Sequence, residues 1–140
     1  MSRILAREYC FKLAFEYQFL LQQDEDYFAE ILQDDKLNED DKIFIQKSFY
    51  GIIENKENID ALIKKYLKGY TFERLFKIDL AILRVAVFEL KYSKENIAET
   101  IIIDSAVELA KKYSTENSYK FVNGILASVV RGEDDSKTTN

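Results

Sequence analysis

Residues 78–90 read IDLAILRVAVFEL, a nearly continuous apolar stretch that contains neither glycine nor proline. Strands and their turns need such breakers at short intervals, whereas a long helix needs their absence. The stretch therefore predicts a helix over about 78–92, with five core side chains: Ile82, Leu83, Ala86, Phe88 and Leu90. The 140-residue chain has no proline and only four glycines, so the same argument predicts an all-α fold.

Apolar periodicity on either side of this stretch predicts six further helices. Four of them cover about 3–22, 27–32, 39–54 and 115–130. Another is capped by Asn58 and stops near Gly69. The start of the remaining one is left open between Asn96, which would form a capping box with Glu99, and Asp104. A short helical turn at 72–75 completes the set.

No repeat or linker divides the chain, so we expect one compact helical domain over 1–131, followed by a disordered polar tail over 132–140. No apolar run approaches the roughly 18 residues that span a bilayer, and no secretory signal is recognised. The single cysteine, Cys10, cannot form an intramolecular disulfide. These features predict a cytoplasmic protein that does not enter a membrane.

The side-chain inventory argues against catalysis. The chain has no histidine, Cys10 has no histidine partner, and no glycine-rich loop could cradle a phosphate. We therefore expect no catalytic site, metal or cofactor. The net charge of −5 also argues against indiscriminate nucleic-acid binding. However, nine acids fall within 24–41 against Lys36 alone, so basic patches can exist elsewhere.

The stretch TENSYKFVNGIL, residues 115–126, has an unusual helical face. Its core positions are Val122, Ile125, Leu126 and, beyond the stretch, Val129, while Asn117, Lys120, Phe121, Gly124 and Ser128 share a neighbouring strip. A half-exposed Phe121 could stack on an unpaired base, with Lys120 near a phosphate and Asn117 near a base edge. Alternatively, Phe121 packs under a neighbouring helix and Gly124 permits close helix contact. Geometry alone favours packing.

Three blocks carry a resemblance to a known family: RILAREYCFKLAFE (3–16), the stretch 78–90, and AVELAKKYSTENSYKFVNGIL (106–126). In this order they resemble the NusB family of bacterial transcription antitermination factors, over about 3–131. The resemblance implies two packed three-helix groups and no catalytic activity. It also implies binding of boxA, a short single-stranded RNA element of ribosomal RNA leaders. The implied protein partners are NusE, a small-subunit ribosomal protein, and an RNA polymerase antitermination complex with other Nus factors.

The resemblance also assigns residues to two surfaces. The RNA-binding positions that it implies are Arg3, Arg7, Arg84, Asn117, Lys120 and Phe121, which turns the interpretation of Phe121 from packing to stacking. The positions that it implies for NusE are Glu73 and Asp79. We expect the Asp79 carboxylate to lie at the start of its helix and to reach solvent.

The chain departs from the family at its N-terminus, where typical members carry a dense arginine cluster. Here only Arg3 and Arg7 occur, with Lys12 further on. We therefore expect weak RNA affinity without NusE. Two alternatives stay open: a helical adaptor that binds NusE but has lost RNA recognition, and a weak homodimer, instead of a monomer, that buries the RNA surface.

Overall fold

The computed structural model describes residues 2–138, and it describes side chains for 2–132. Within this part, the chain forms seven α-helices and one short 3₁₀ turn, and no residue lies in a strand. The prediction of an all-α fold of about seven helices is confirmed. The helices are α1 (Ser2–Leu20), α2 (Glu25–Leu32), α3 (Glu39–Glu54), α4 (Lys56–Lys65), α5 (Lys77–Lys91), α6 (Glu99–Tyr113) and α7 (Ser118–Thr138), with the 3₁₀ turn at Phe72–Arg74 between α4 and α5.

The apolar stretch at 78–90 forms most of α5, the centre of the fold. Residues 79–89 are all buried. Helices α1, α3 and α5 contact one another, and so do α5, α6 and α7. The two predicted three-helix groups are therefore present, and they share α5. Buried apolar side chains from all seven helices join in one core.

Helix α5 carries three charged residues within its buried length, at a spacing of five: Asp79, Arg84 and Glu89. A buried charge is costly unless it is paired and hydrogen-bonded. Each of the three has partners from a different part of the fold: Ser114 and Ser118 at the α6–α7 junction, Asp60 in α4, and Arg7 in α1. These contacts fix how the other helices are oriented around α5.

One helix start agrees with the prediction and one does not, because a residue can act as a cap only where a helix begins. Asn38 caps α3 in a capping box with Asp41, and α3 has the predicted bounds. The predicted cap Asn58 is wrong, because it lies inside α4. Only Asn55 separates α3 from α4, and its side-chain amide donates to the Gly51 carbonyl oxygen at 2.8 Å. This bond closes α3, and α4 follows without a side-chain cap.

The last two helices also differ from the prediction at their ends. Neither Asn96 nor Asp104 caps α6, which begins after Ala98 without a side-chain cap bond. Helix α7 begins at Ser118 and does not end near residue 130, since its backbone remains helical to Thr138. The predicted tail over 132–140 thus overlaps α7, and residues 139–140 lie outside the described part.

No helix in the part that the structure describes is long and apolar enough to cross a membrane. The same part shows no group of three or more side chains that could hold a metal ion. Cys10 is fully buried, and burial raises the pKa of its thiol well above the usual value.

Candidate nucleic-acid interface

Asp79 anchors the start of α7 to the start of α5. Its two carboxylate oxygens accept hydrogen bonds from the Ser114 hydroxyl at 2.6 Å and from the Ser118 hydroxyl at 2.9 Å. The expectation that this carboxylate reaches solvent is wrong: Asp79 is only 4% exposed. Asp79 lies in the first turn of α5, where its negative charge interacts favourably with the helix dipole. It does not cap the helix, because the N-cap residue is Phe76. Its contacts fix the position of the α6–α7 junction.

Three of the predicted RNA-binding residues lie at the start of α7. Asn117, just before the helix, and Lys120 are exposed, while Phe121 is half-buried and Val122 is fully buried. The strip predicted from helical geometry therefore lies at the border between core and solvent. Because Ser118 is held by Asp79, this border has a fixed backbone.

A small pocket of about 130 Å³ lies beside Phe121. The start of α7 and the segment between α4 and α5 form its walls, and its lining includes Tyr70, Arg74, Phe76, Asn117 and Phe121. The rings of Tyr70 and Phe121 meet edge to face, with centroids 5.1 Å apart. Tyr70 is 61% exposed, so the ring of Phe121 packs against an aromatic side chain that is itself open to solvent.

Gly124 does not serve helix packing. A Cβ atom built on it would meet no heavy atom within 4 Å, and the residue is exposed. The alternative in which Gly124 permits close helix contact is therefore wrong. Glycine in a helix interior costs about 1 kcal/mol relative to alanine, and no contact in the structure offsets that cost.

We expect Gly124→Ala to raise the free energy of unfolding by about 0.5–1 kcal/mol, because alanine is the better helix former and the space is open. If the bare backbone allows a ligand to approach Phe121, the same change should weaken RNA binding. Urea denaturation and an RNA titration measure the two effects, and Asn123→Ala, at the neighbouring exposed position, is the control. A loss of stability in Gly124→Ala would contradict the open space, and unchanged RNA affinity would show that the glycine gives no access.

Lys120 belongs to a second group of cations on the other side of this face. Its ammonium lies 5.9 Å from the centre of the Tyr119 ring, and the ammonium of Lys111 lies 5.1 Å from the same ring. Cations over an aromatic ring are held near it without being neutralised. Lys111 also lies 3.6 Å from a Glu108 carboxylate oxygen, whereas no carboxylate of the described residues pairs with Lys120.

Arg3 is largely committed to contacts within the protein. Its guanidinium donates to Asp41 at 2.9 Å and to Glu95 at 2.7 Å, and it lies 4.4 Å above the centre of the Phe44 ring. Burial by itself would raise the pKa of Asp41, but hydrogen bonds from Ser2, Arg3 and the Asn38 backbone hold that pKa below its usual value. Asp41 thus stays ionised at neutral pH, and it neutralises an arginine whose side chain is still 25% exposed.

Arg7 and Arg84 are not on the surface. Arg7 donates to both carboxylate oxygens of Glu89, at 2.7 and 3.1 Å, and Arg84 donates to both oxygens of Asp60 at 2.8 Å. The two arginine side chains are 5% and 7% exposed. Such bidentate pairs satisfy most of the guanidinium donors. The structure therefore places these two predicted RNA-binding residues in buried ion pairs between helices.

Glu73, one of the two positions implied for NusE, is exposed in the 3₁₀ turn. Near it, Phe76 is 58% exposed. The Gln18 side-chain amide donates to the Lys77 carbonyl oxygen at 2.8 Å, which brings the end of α1 to the start of α5. The end of α1 carries three more exposed apolar residues, namely Phe19, Leu20 and Leu21. We call Phe76 together with these three residues the apolar end.

The sequence reasoning did not select Tyr70, Arg74 or Tyr119, although all three lie beside its candidate residues. A signal was present for the first two, because the segment between α4 and α5 is rich in cations and aromatic residues. For Tyr119 the only sequence signal was its position next to Lys120, because the other lysine near its ring, Lys111, belongs to α6.

The NusB family model matches residues 2–131. This chain belongs to the NusB family. One relative is the transcription antitermination protein NusB of Acetivibrio thermocellus, which is 40% identical over 131 residues, covering 94% of this chain and 90% of the relative. The recognition from the three sequence blocks is therefore confirmed.

Solved structures agree with this membership. T. maritima NusB is 38% identical, with a TM-score of 0.82 over 92% of this chain and 90% of that chain. A second structure contains the antitermination factors NusB and NusE in complex with double-stranded RNA. It matches with a TM-score of 0.82 and 26% identity over 94% of this chain and 97% of that chain. The predicted fold class is confirmed by both.

Proposed function

We propose that this protein is a transcription antitermination factor that binds boxA RNA together with NusE and so supports ribosomal RNA transcription. One observation carries the RNA-binding proposal: the half-buried Phe121 ring lies at a border with solvent, between exposed Asn117 and Lys120. A ring with an accessible face stacks on bases, and the neighbouring amide and ammonium suit base edges and phosphates. Membership of the NusB family supports the same function.

The six candidate RNA residues divide into two roles in this proposal. Asn117, Lys120 and Phe121 contact the RNA, and Arg3 contributes what remains exposed of its side chain. Arg7 and Arg84 act as positioning residues, because each holds another helix against α5 through a buried ion pair.

For NusE, the proposal places the contact at Glu73 and the apolar end. Phe76, Phe19 and their neighbours offer apolar area, and Glu73 offers a carboxylate for a basic ribosomal protein. Asp79 has almost no exposed surface with which to reach a partner, so its role in this proposal is to position the α6–α7 junction. The solved complex of NusB with NusE and double-stranded RNA supports a joint assembly of this kind.

The proposal includes no catalytic step. The chain has no histidine, and burial raises the pKa of its only thiol, so the usual general base and a reactive thiolate are both missing. The protein would act in the cytoplasm by binding alone, as a subunit of an RNA polymerase complex with other Nus factors, and as a monomer or weak homodimer outside it.

One observation favours a second candidate, an adaptor that binds NusE without recognising RNA. Arg3, Arg7 and Arg84, the arginines implied for RNA, all form ion pairs within the protein. An arginine that is already paired releases fewer counterions when it meets a phosphate. The two candidates differ in whether boxA RNA binds in the presence of NusE.

The deciding experiment is a titration of labelled boxA RNA with the protein alone and with NusE. We expect weak binding and a shallow salt dependence for the protein alone, because the three arginines implied for RNA are already paired within the protein, and markedly tighter binding with NusE. A scrambled strand of equal length and a boxA duplex are the controls, since the solved complex of the relatives holds double-stranded RNA. Equal affinity with and without NusE would contradict the cooperation. A complex with NusE that ignores all three RNAs would establish the adaptor.

A further inference from the structure

The stretch that runs from the last two residues of α4 to the first residue of α5 has a composition unlike the rest of the chain. We call residues 64–77, KKYLKGYTFERLFK, the connector. It carries five cations against one acid, in a protein whose net charge is −5. Four aromatic residues alternate with these charges: Tyr66, Tyr70, Phe72 and Phe76. Interleaved cations and aromatic rings are typical of surfaces that bind single-stranded nucleic acid.

The cations of the connector are free of carboxylates, unlike the arginines Arg3, Arg7 and Arg84. Among the described residues, none forms an ion pair with Lys64, Lys65, Lys68, Arg74 or Lys77, and all five are exposed. The ammonium of Lys64 lies 4.8 Å from the centre of the Phe72 ring, and that of Lys65 lies 5.4 Å from the centre of the Tyr66 ring. Aromatic faces thus order two of the lysines while leaving their charge available.

The connector also adjoins the candidate RNA face. Tyr70 and Arg74 line the pocket whose other wall is Asn117 and Phe121, and the Tyr70 ring touches Phe121 edge to face. Gly69, with φ of 78°, turns the chain so that Tyr70 follows it in this position. A strand of RNA that stacks on Phe121 therefore lies next to the Tyr70 ring and the Arg74 guanidinium.

We infer that the connector is a second RNA-contacting element, in which Tyr70 extends the stacking surface of Phe121 and the free cations, Arg74 first among them, neutralise phosphates of the same single strand. The inference rests on the proposed RNA binding and assigns to it the electrostatic contribution that the paired N-terminal arginines cannot make. Phosphate contacts dominate nucleic-acid affinity, so exposed cations without a carboxylate partner contribute more to it than arginines that are already paired.

The test compares two triple variants in titrations of boxA RNA over a range of salt concentrations, with NusE present. The connector variant is Lys68→Gln/Arg74→Gln/Lys77→Gln, and the matched control is Lys36→Gln/Lys47→Gln/Lys94→Gln. All six side chains are exposed and unpaired among the described residues, so both variants should fold, and both lose three positive charges. The connector variant should lower the slope of log K against log salt by about 2, at about 0.7 for each lost phosphate contact, while the control keeps the parent's slope.

A second pair of variants tests the ring. Tyr70→Ala should weaken RNA binding about 5-fold or more, and Tyr70→Phe, which keeps the aromatic face, should stay within about 2-fold of the parent.

If the parent binds RNA and the connector variant binds as tightly, this inference alone is overturned. Equal losses in both triple variants would show an effect of net charge and overturn it too. A loss of NusE affinity with RNA affinity unchanged would make the connector a protein-binding surface. If the parent binds no RNA with NusE present, the proposed function fails as well.

Discussion

Arg7→Ala is expected to lower the free energy of unfolding by about 3–5 kcal/mol, because it leaves the Glu89 carboxylate charged and unpaired inside the fold. Glu89 is 5% exposed and belongs to the central helix, so its carboxylate has little contact with solvent to compensate for the lost guanidinium. For a domain with a total stability of about 5–15 kcal/mol, this is a large fraction. Urea denaturation at neutral pH measures it directly.

The double variant Arg7→Met/Glu89→Leu is the control, because replacing both members of a buried ion pair by apolar groups is often close to neutral. It should recover most of the stability while lacking the guanidinium altogether. Its RNA affinity should match that of the parent, since the structure gives Arg7 almost no surface. Weakened RNA binding by this folded variant would show that Arg7 reaches the RNA. A cost below about 1 kcal/mol for Arg7→Ala would show that the pair is open to water.

The fold could be predicted because its main signals are local. A chain with no proline and with apolar residues at helical spacing leaves few options except packed helices, and the apolar stretch at 78–90 identifies the helix that lies at the centre. The helix ends were less predictable. Asn58 resembles a cap in the sequence, but α4 begins three residues earlier because Asn55 already closes α3. No local pattern shows that two helices will meet without a loop.

Gly132, near the C-terminus, is a second position where the end of a helix could not be predicted. The polar tail was predicted to begin at this residue, yet α7 continues past it. A Cβ at this position would lie 1.7 Å from the Tyr66 hydroxyl oxygen, so any larger residue would force the Tyr66 side chain, 66 positions earlier, to move. A glycine that makes room for a neighbour cannot be distinguished by sequence alone from one that turns the backbone.

The candidate site could also be predicted only in part. Helical geometry was sufficient to predict that Asn117 and Lys120 are exposed and that Phe121 lies at the border, because all three belong to one turn. The surroundings of the arginines could not be predicted from spacing. Arg3 pairs with Glu95, 92 positions away, and Arg7 with Glu89, 82 positions away. Only the packing of α1 against its neighbours reveals which cations are left free to bind RNA.

Phe121→Ala should weaken RNA binding by about 1–3 kcal/mol, the usual contribution of one base stacked on an aromatic ring. The effect on stability should be smaller than the roughly 3–5 kcal/mol typical of a buried phenylalanine, because Phe121 is half-buried and its ring contact is with the exposed Tyr70. An RNA titration with NusE present and a urea denaturation curve give the two numbers for the same preparation.

Two matched variants separate stacking from packing at Phe121. Phe121→Leu keeps most of the apolar contact and removes the aromatic face, so it should unfold close to the parent and yet bind RNA about as weakly as Phe121→Ala. Phe49→Leu, at a ring that is 2% exposed in the core, should do the reverse, with lower stability and unchanged RNA affinity wherever the protein is folded. If Phe121→Leu retains the parent's RNA affinity while Phe121→Ala loses several kcal/mol of stability, the ring serves the core. The RNA must then stack elsewhere, and Tyr70, whose exposed ring touches Phe121, is the next residue to test.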